Sequence, residues 1–138
     1  MKRTTQKIAL AVALMTLLGS GIGWAKGKQN RLRLRGELVG APAAGDISGK
    51  ADFENRRGRR KFSVEIEGLG AGDKFDVTVD GVNVGTIVVN ALGIGELDYD
   101  DTAGPLDQDL PFPAGFPSLD GGEAVAVGGT LSGTLQPK

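Results

Sequence analysis

The chain has 138 residues, of which 40% are hydrophobic and 24% charged, and it contains 23 Gly but neither Cys nor His. This length suits one small domain. Without Cys there is no disulfide and no thiolate nucleophile, and without His there is no imidazole base or imidazole metal ligand. The usual hydrolase triads, apart from Ser–Lys variants, and the usual zinc sites are therefore excluded, and we expect no enzyme.

Residues 1–25 have the features of a secretory signal peptide. Three basic residues precede an apolar stretch over 8–18, which is about half of the ~20 residues needed to span a bilayer. Small residues at the third and first positions before Lys26 suit signal peptidase, so we expect cleavage after Ala25. Export of a chain without Cys favours a bacterial protein of the periplasm or the extracellular medium, with residues 26–138 as its single mature domain.

Charge is divided unevenly along the mature chain. Residues 26–61 contain 11 basic and 4 acidic residues, a net charge of +7. Residues 62–138 contain 2 basic and 13 acidic residues, a net charge of −11. Opposed halves of this kind favour interaction with a charged partner or with a second copy of the chain.

The first half of the mature chain alternates apolar and polar residues, which is the period of a β-strand. The outward face of the first predicted strand carries three basic residues, Arg31, Arg33 and Arg35. The next two alternating runs contain Phe53 and Val64 on their apolar faces, and they predict a hairpin whose tip is basic.

The second half continues the alternation between turn signals. Asp80 and Gly81 predict a two-residue turn, and Gly85 predicts a bulge or a close approach of two backbones. A last hairpin is expected around Gly128 and Gly129. Turns at such short intervals indicate an all-β fold, and we expect an antiparallel β-sandwich of about seven to eight strands.

A long loop over residues 101–122 contains four Pro together with several apolar side chains. Loops of this length without secondary structure are uncommon in compact domains. We expect part of this loop to pack as a flap over an open end or an edge of the fold.

The predicted hairpin tip is the densest basic cluster, with five cations, Arg56, Arg57, Arg59, Arg60 and Lys61. Such a cluster can hold the phosphate or sulfate groups of a polyanion, such as an envelope lipopolysaccharide, an acidic exopolysaccharide or a nucleic acid. No aromatic residue lies among the cations, so base stacking is not indicated and nucleic acid is disfavoured. The alternative is a solvated tip whose charges balance the acidic half of the chain.

The sharpest acidic cluster has five carboxylates, Asp98, Asp100, Asp101, Asp107 and Asp109. Carboxylate oxygens at alternating positions suit calcium. An EF-hand is excluded, because Ala103 stands where that loop requires Gly and Asp109 where it requires Glu. A calcium site of another kind and a solvated acidic loop both remain open, and no other cofactor is indicated.

Carboxylates suited to glycoside hydrolysis also occur at Glu65, Glu67, Glu96 and Asp98. They fall on the polar faces of predicted strands, and few aromatic residues are present to hold a sugar. A hydrolase is therefore the third hypothesis, after an interaction module and a calcium-binding domain. Only an inward-facing pair of carboxylates with raised pKa values in a cleft would support the hydrolase hypothesis.

One segment resembles a known pattern. Residues 75–86 and 91–95 place a strand, a turn, a Val-Gly-Thr strand and a Gly-bearing turn in succession, and the chain closes on Gly-Thr-Leu-Ser-Gly-Thr-Leu at 129–135. This order resembles uncharacterised exported bacterial Gly-rich all-β domains and is reminiscent of chordin-type β-domains, whose His-containing motif is absent here. The resemblance implies a β-fold and an exported setting, and it assigns no functional residue.

The sequence thus predicts an exported, non-enzymatic interaction module of the bacterial envelope or extracellular matrix. An envelope polyanion or a second copy of the chain is the expected partner. A calcium-binding exported domain that uses the acidic cluster is the alternative.

Overall fold

The computed structural model describes residues 31–40 and 45–138, which form strands and no helix. The predicted signal peptide and its cleavage position lie outside the described residues. The strands of the described part are β1 (Arg31–Gly40), β2 (Ser48–Arg56), β3 (Arg59–Glu67), β4 (Lys74–Val79), β5 (Val82–Val88), β6 (Ile94–Asp100), β7 (Ala124–Val127), β8 (Leu131–Thr134) and β9 (Gln136–Pro137).

All of these strands belong to one antiparallel sheet in the order β5-β4-β7-β8-β1-β2-β3-β6, with β9 paired to β1. The end strands β5 and β6 lie against each other without forming a ladder of hydrogen bonds, so the sheet is nearly closed and barrel-like. The structure confirms the all-β class and the antiparallel pairing. It does not confirm a sandwich, because the strands form one continuous sheet and not two separate layers.

Two glycines allow β5 and β6 to approach. A Cβ at Gly85 would meet the Tyr99 hydroxyl, and a Cβ at Gly95 would meet the Ile87 side chain. The Tyr99 hydroxyl also donates a hydrogen bond to the Val84 carbonyl across the same junction. The absence of side chains at Gly85 and Gly95 is therefore what permits the sheet to close.

The core lies inside the curl of the sheet, because alternate residues of each long strand point inward. Burying apolar surface there contributes roughly 25 cal/mol for each Å² removed from water. The largest fully buried side chains are Phe62, Leu34, Leu38, Ile66, Ile87, Leu131, Leu135, Val64, Val77, Val79, Val89 and Val125.

The basic hairpin is confirmed as β2 and β3. Arg57 and Gly58 form its two-residue turn with φ of 54° and 88°, the left-handed geometry that matches the twist of a hairpin. The Asn55 side-chain oxygen accepts a hydrogen bond from the Gly58 N–H at 3.0 Å, which fixes the turn.

The predicted irregularity at Gly85 is confirmed as well. Val77 lies opposite Gly85 while Thr78 lies opposite Asn83, so Val84 is an extra residue in β5. A bulge of this kind bends a strand locally, and here it occurs where β5 approaches β6.

The long loop packs as the expected flap. Leu110 forms an isolated parallel bridge with Tyr99 on the free edge of β6, with hydrogen bonds of 2.9 Å to the backbones of Asp98 and Asp100. Phe112 and Phe116 then pack their rings against each other, 4.8 Å apart between centroids. The two rings also contact Tyr99 or Phe62 and so cover one end of the core.

Candidate functional site

The sheet register aligns three arginines on one face. Arg31 of β1 lies opposite Arg56 of β2, and Arg56 lies opposite Arg59 of β3. Directly opposed residues of an antiparallel pair share a face, and here it is the outer face, away from the core. These three arginines and Arg57 of the adjoining turn are called the arginine end below.

Two members of the arginine end have carboxylate partners. The Arg31 Nε donates to Glu54 at 2.8 Å, and an Arg59 Nη donates to Asp100 at 3.1 Å. Arg56 and Arg57 are exposed, and within the described residues neither has a carboxylate within 4.0 Å. The hairpin tip therefore presents two uncompensated guanidinium groups beside two compensated ones.

The other two predicted cations, Arg60 and Lys61, have partners of their own within the described residues. Arg60 belongs to the opposite face of β3, where it forms a two-point ion pair with Asp101, both N···O distances being 2.9 Å. Its guanidinium also lies 4.1 Å from the centroid of the Phe112 ring, a cation–π contact. Lys61 returns to the outer face, with its Nζ 3.8 Å from Asp100.

The acidic cluster meets the basic tip directly. Asp100 is almost completely buried, and it accepts hydrogen bonds from the Arg59 guanidinium and from both the backbone N–H and the hydroxyl of Thr102. The Arg59 hydrogen bond holds the pKa of Asp100 well below its usual range. The ion pair with Arg60 likewise lowers the pKa of Asp101. Part of the predicted charge separation along the chain is therefore neutralised inside the fold.

The remaining predicted calcium ligands are dispersed. The Asp107 carboxylate accepts a hydrogen bond from the Gly104 N–H at 2.6 Å and so closes its own turn. Asp98 and Asp109 lie side by side on β6 and the loop, because the Leu110 bridge aligns them. Across residues 31–40 and 45–138, no three acidic side chains gather as a metal site, so the geometry gives no support to calcium binding.

A groove of about 390 Å³ crosses the outer face of β1, β2, β3 and β6, a volume within the range of small-ligand sites. Its polar lining combines four cations, four carboxylates and one hydroxyl, from Arg33, Arg35, Lys61, Lys138, Asp52, Glu54, Asp98, Asp109 and Ser63.

Most of the charges in the groove are paired internally. The Arg35 Nε donates to Asp52 at 2.7 Å, and the Lys138 Nζ lies 3.7 Å from the same carboxylate. Arg33 lies opposite Glu54, but Glu54 binds Arg31 instead. Among the described residues, the lining groups without an ion pair are thus one cation, Arg33, and two carboxylates, those of Asp98 and Asp109.

Asp98 has a raised pKa, first because of burial and then because of the charges of Asp109, Glu96 and Glu65. Its side chain belongs to the outer face of β6. The inward-facing carboxylate pair that would revive the hydrolase hypothesis is therefore not formed by Asp98.

Sequence reasoning found the basic tip and the acidic cluster but missed that they pair with each other. Arg59 and Asp100 are 41 positions apart, and only the pairing of β3 with β6 brings them together. The opposite net charges of the two halves were the available signal. The groove was missed as a unit because its lining comes from four strands, the loop and Lys138.

The sequence matches no protein-family model, and no curated protein matches it. Within the described part of the chain, no helix is long and apolar enough to cross a membrane.

Proposed function

We propose that this protein is an exported, non-enzymatic module that binds an anionic polymer through its arginine end. One observation carries the proposal. Arg31, Arg56 and Arg59 lie opposite one another on the outer face, although like charges placed directly opposite destabilise a sheet. Glu54 and Asp100 offset two of these charges, and bound anionic groups offset the charge that remains at Arg56 and Arg57.

Arginine suits this role chemically. Its planar guanidinium binds a phosphate, sulfate or carboxylate group with two parallel hydrogen bonds. Adjacent strands lie about 4.8 Å apart, so three arginines on β1, β2 and β3 span roughly 10 Å. A linear polymer that carries one anionic group every few ångströms can contact several of them at once.

The flanking ion pairs support the same function. Asp100 holds Arg59 from one side, and Asn55 fixes the turn that carries Arg57. The ion pair thus orders the Arg59 side chain and the Asn55 bond orders the backbone of the turn, so these parts lose less conformational freedom on binding. Export of the module rests on the signal-peptide features of residues 1–25 and on the resemblance to exported Gly-rich β-domains.

Binding of the full chain to fluorescently labelled heparin, a sulfated polymer, and to polyphosphate tests the proposal. The variant R56Q/R57N removes the two uncompensated guanidinium groups, and Asn tolerates the left-handed conformation of position 57. We expect this variant to have a higher Kd than the parent chain for whichever of the two polymers, heparin or polyphosphate, the parent chain binds more tightly. With fewer arginine contacts, fewer counterions are released on binding. The slope of log Kd against log salt concentration should therefore fall by about one for each arginine removed.

The double variant K50Q/K74Q is the matched control. It removes the same charge from β2 and β4, away from the arginine end, and should leave Kd and its salt dependence unchanged. An equal loss of polymer affinity in both variants would show that the polymer is attracted by the overall charge of the chain and is not bound at a specific site. Absence of salt-dependent binding to both polymers would overturn the proposal and leave a second copy of the chain as the partner to examine.

A further inference from the structure

At its two sides the groove on the outer face has charges of opposite sign that form no ion pair with any described residue. Arg33 lies on β1, and Asp98 lies on β6. The strands β2 and β3 separate them by three inter-strand spacings, about 14 Å, and the register places Asp98 two residues, about 7 Å, further along the strands. The two positions are therefore roughly 16 Å apart. A ligand that satisfies both sides must carry a cation at one end and an anion at the other.

The carboxylate side of the groove requires a cation. Asp98 and Asp109 lie next to each other through the Leu110 bridge, and Glu96 and Glu65 add further negative charge nearby. Lys61, on the neighbouring strand β3, has its Nζ 3.8 Å from Asp100 and offsets the charge of Asp98 only in part. Partial burial first, and then repulsion from Asp109, Glu96 and Glu65, raise the pKa of Asp98 despite the charge of Lys61.

An ammonium group fits this side better than a metal ion. Calcium takes six to eight oxygen ligands, whereas the described residues bring only two free carboxylates together. An ammonium group needs no more than three acceptors, and two carboxylates with the nearby Ser63 hydroxyl supply that number.

The opposite side presents a guanidinium group. Arg33 is exposed, and the carboxylate opposite it, Glu54, is bound by Arg31. Arg35 and Lys138 lie beside it with their charges directed to Asp52. Arg33 can therefore receive a carboxylate from a ligand without breaking an internal ion pair.

We propose that this groove binds a linear zwitterion, a short peptide with free termini whose ammonium group lies at Asp98 and Asp109 and whose carboxylate lies at Arg33. An extended chain spans about 3.3–3.6 Å per residue, so about five residues reach from one side to the other. No aromatic side chain of the groove points to the outer face, which favours a peptide over a sugar polymer.

The test titrates pentaglycine into the isotopically labelled full chain and follows the backbone amide signals of β1, β3 and β6. We expect saturable shifts. N-acetylation or C-amidation of the peptide removes one terminal charge and should weaken binding about tenfold, the effect of one lost charge-assisted contact. Diglycine reaches only about 7 Å and should bind no better than the blocked peptides.

Variants assign the two ends. D98N should weaken the binding of pentaglycine but not that of the N-acetylated peptide. R33Q should weaken the binding of pentaglycine but not that of the C-amidated peptide. The control E67Q removes one exposed carboxylate from β3 outside the groove and should leave binding unchanged. Equal affinity for free and blocked peptides, or no saturable shift with pentaglycine, would overturn the assignment.

This site is separable from the proposed polymer site. R56Q/R57N should retain pentaglycine binding, and D98N should retain heparin binding. If binding to the polymers fails, the peptide site can still stand, and if peptide binding fails, the polymer site can still stand.

Discussion

Asp98 and Asp100 are two residues apart on the same strand and the same face, yet the fold treats their charges in opposite ways. Asp100 is held by Arg59 and Thr102, which lowers its pKa, whereas Asp98 is partly buried beside Asp109, which raises its pKa. A carboxylate with a lowered pKa stabilises the folded state at pH values above its unfolded pKa of about 3.9. That contribution is lost as the pH falls through the lower, folded value. A carboxylate with a raised pKa has the opposite effect on stability. Its charge destabilises the folded state at pH values above its folded pKa, and this effect disappears once the pH is below both its folded and its unfolded pKa.

We therefore predict opposite effects of the same chemical change. At pH 7, D100N should lower the free energy of unfolding by about 1–3 kcal/mol, because it weakens hydrogen bonds to a charged group in a buried place. D98N should raise it by about 0.2–1 kcal/mol, because it removes like charges placed opposite each other. Urea unfolding at pH 7 and at pH 3 measures both, and both differences should shrink at the lower pH. E67Q, at an exposed position of β3, is the control, and effects of equal sign in D98N and D100N would contradict the assignment.

The loop over residues 101–122 acts as an element of the fold, although it contains no regular strand. Arg60 fixes its start through Asp101, and Leu110 attaches its middle to the edge of β6. Phe112 and Phe116 then cover the end of the core. Pro and Gly in this stretch suppress regular structure, while its aromatic residues supply the apolar surface that holds it down.

Removing one ring from this flap should cost stability. The Phe116 ring contacts Phe62 at 5.2 Å between centroids and is half-buried. We expect F116A to lower the free energy of unfolding by about 2–3 kcal/mol, less than the 3–5 kcal/mol of a fully buried Phe. L106A lies in the same loop at a side chain that is 96% exposed and should change it by less than about 0.5 kcal/mol. Denaturant unfolding compares the two, and similar values would mean that the loop is not packed as described.

Closure of the sheet is a property of the whole molecule. The ends of the sheet meet where Gly85 and Gly95 face the side chains of the opposite strand, and the Tyr99 hydroxyl joins them. The pairing of β3 with β6 within the same sheet brings basic residues of the first half to acidic residues of the second. The net charges of +7 and −11 seen along the chain are therefore not the charges of two surfaces.

A methyl group in this junction should disturb the closure. G95A places its Cβ against the Ile87 side chain, and overpacking of this kind costs about 1–3 kcal/mol. G129A adds the same methyl group where no atom lies within 4 Å and should be close to neutral. The melting temperatures of the two variants and the parent chain decide this, and a neutral G95A would show that β5 and β6 can separate at little cost.

The sequence by itself determined the all-β class, the hairpins at Arg57–Gly58 and Asp80–Gly81, and the irregularity at Gly85. Each follows from local physics, since alternation sets the faces of a strand and Gly58, Asp80 and Gly81 are residue types that adopt a left-handed turn easily. Tertiary structure alone decided that the strands form one nearly closed sheet, that Asp100 and Asp101 bind Arg59 and Arg60, and that Arg33 and Asp98 share a groove. These features depend on which distant strands become neighbours and in which register, and no local pattern specifies that choice.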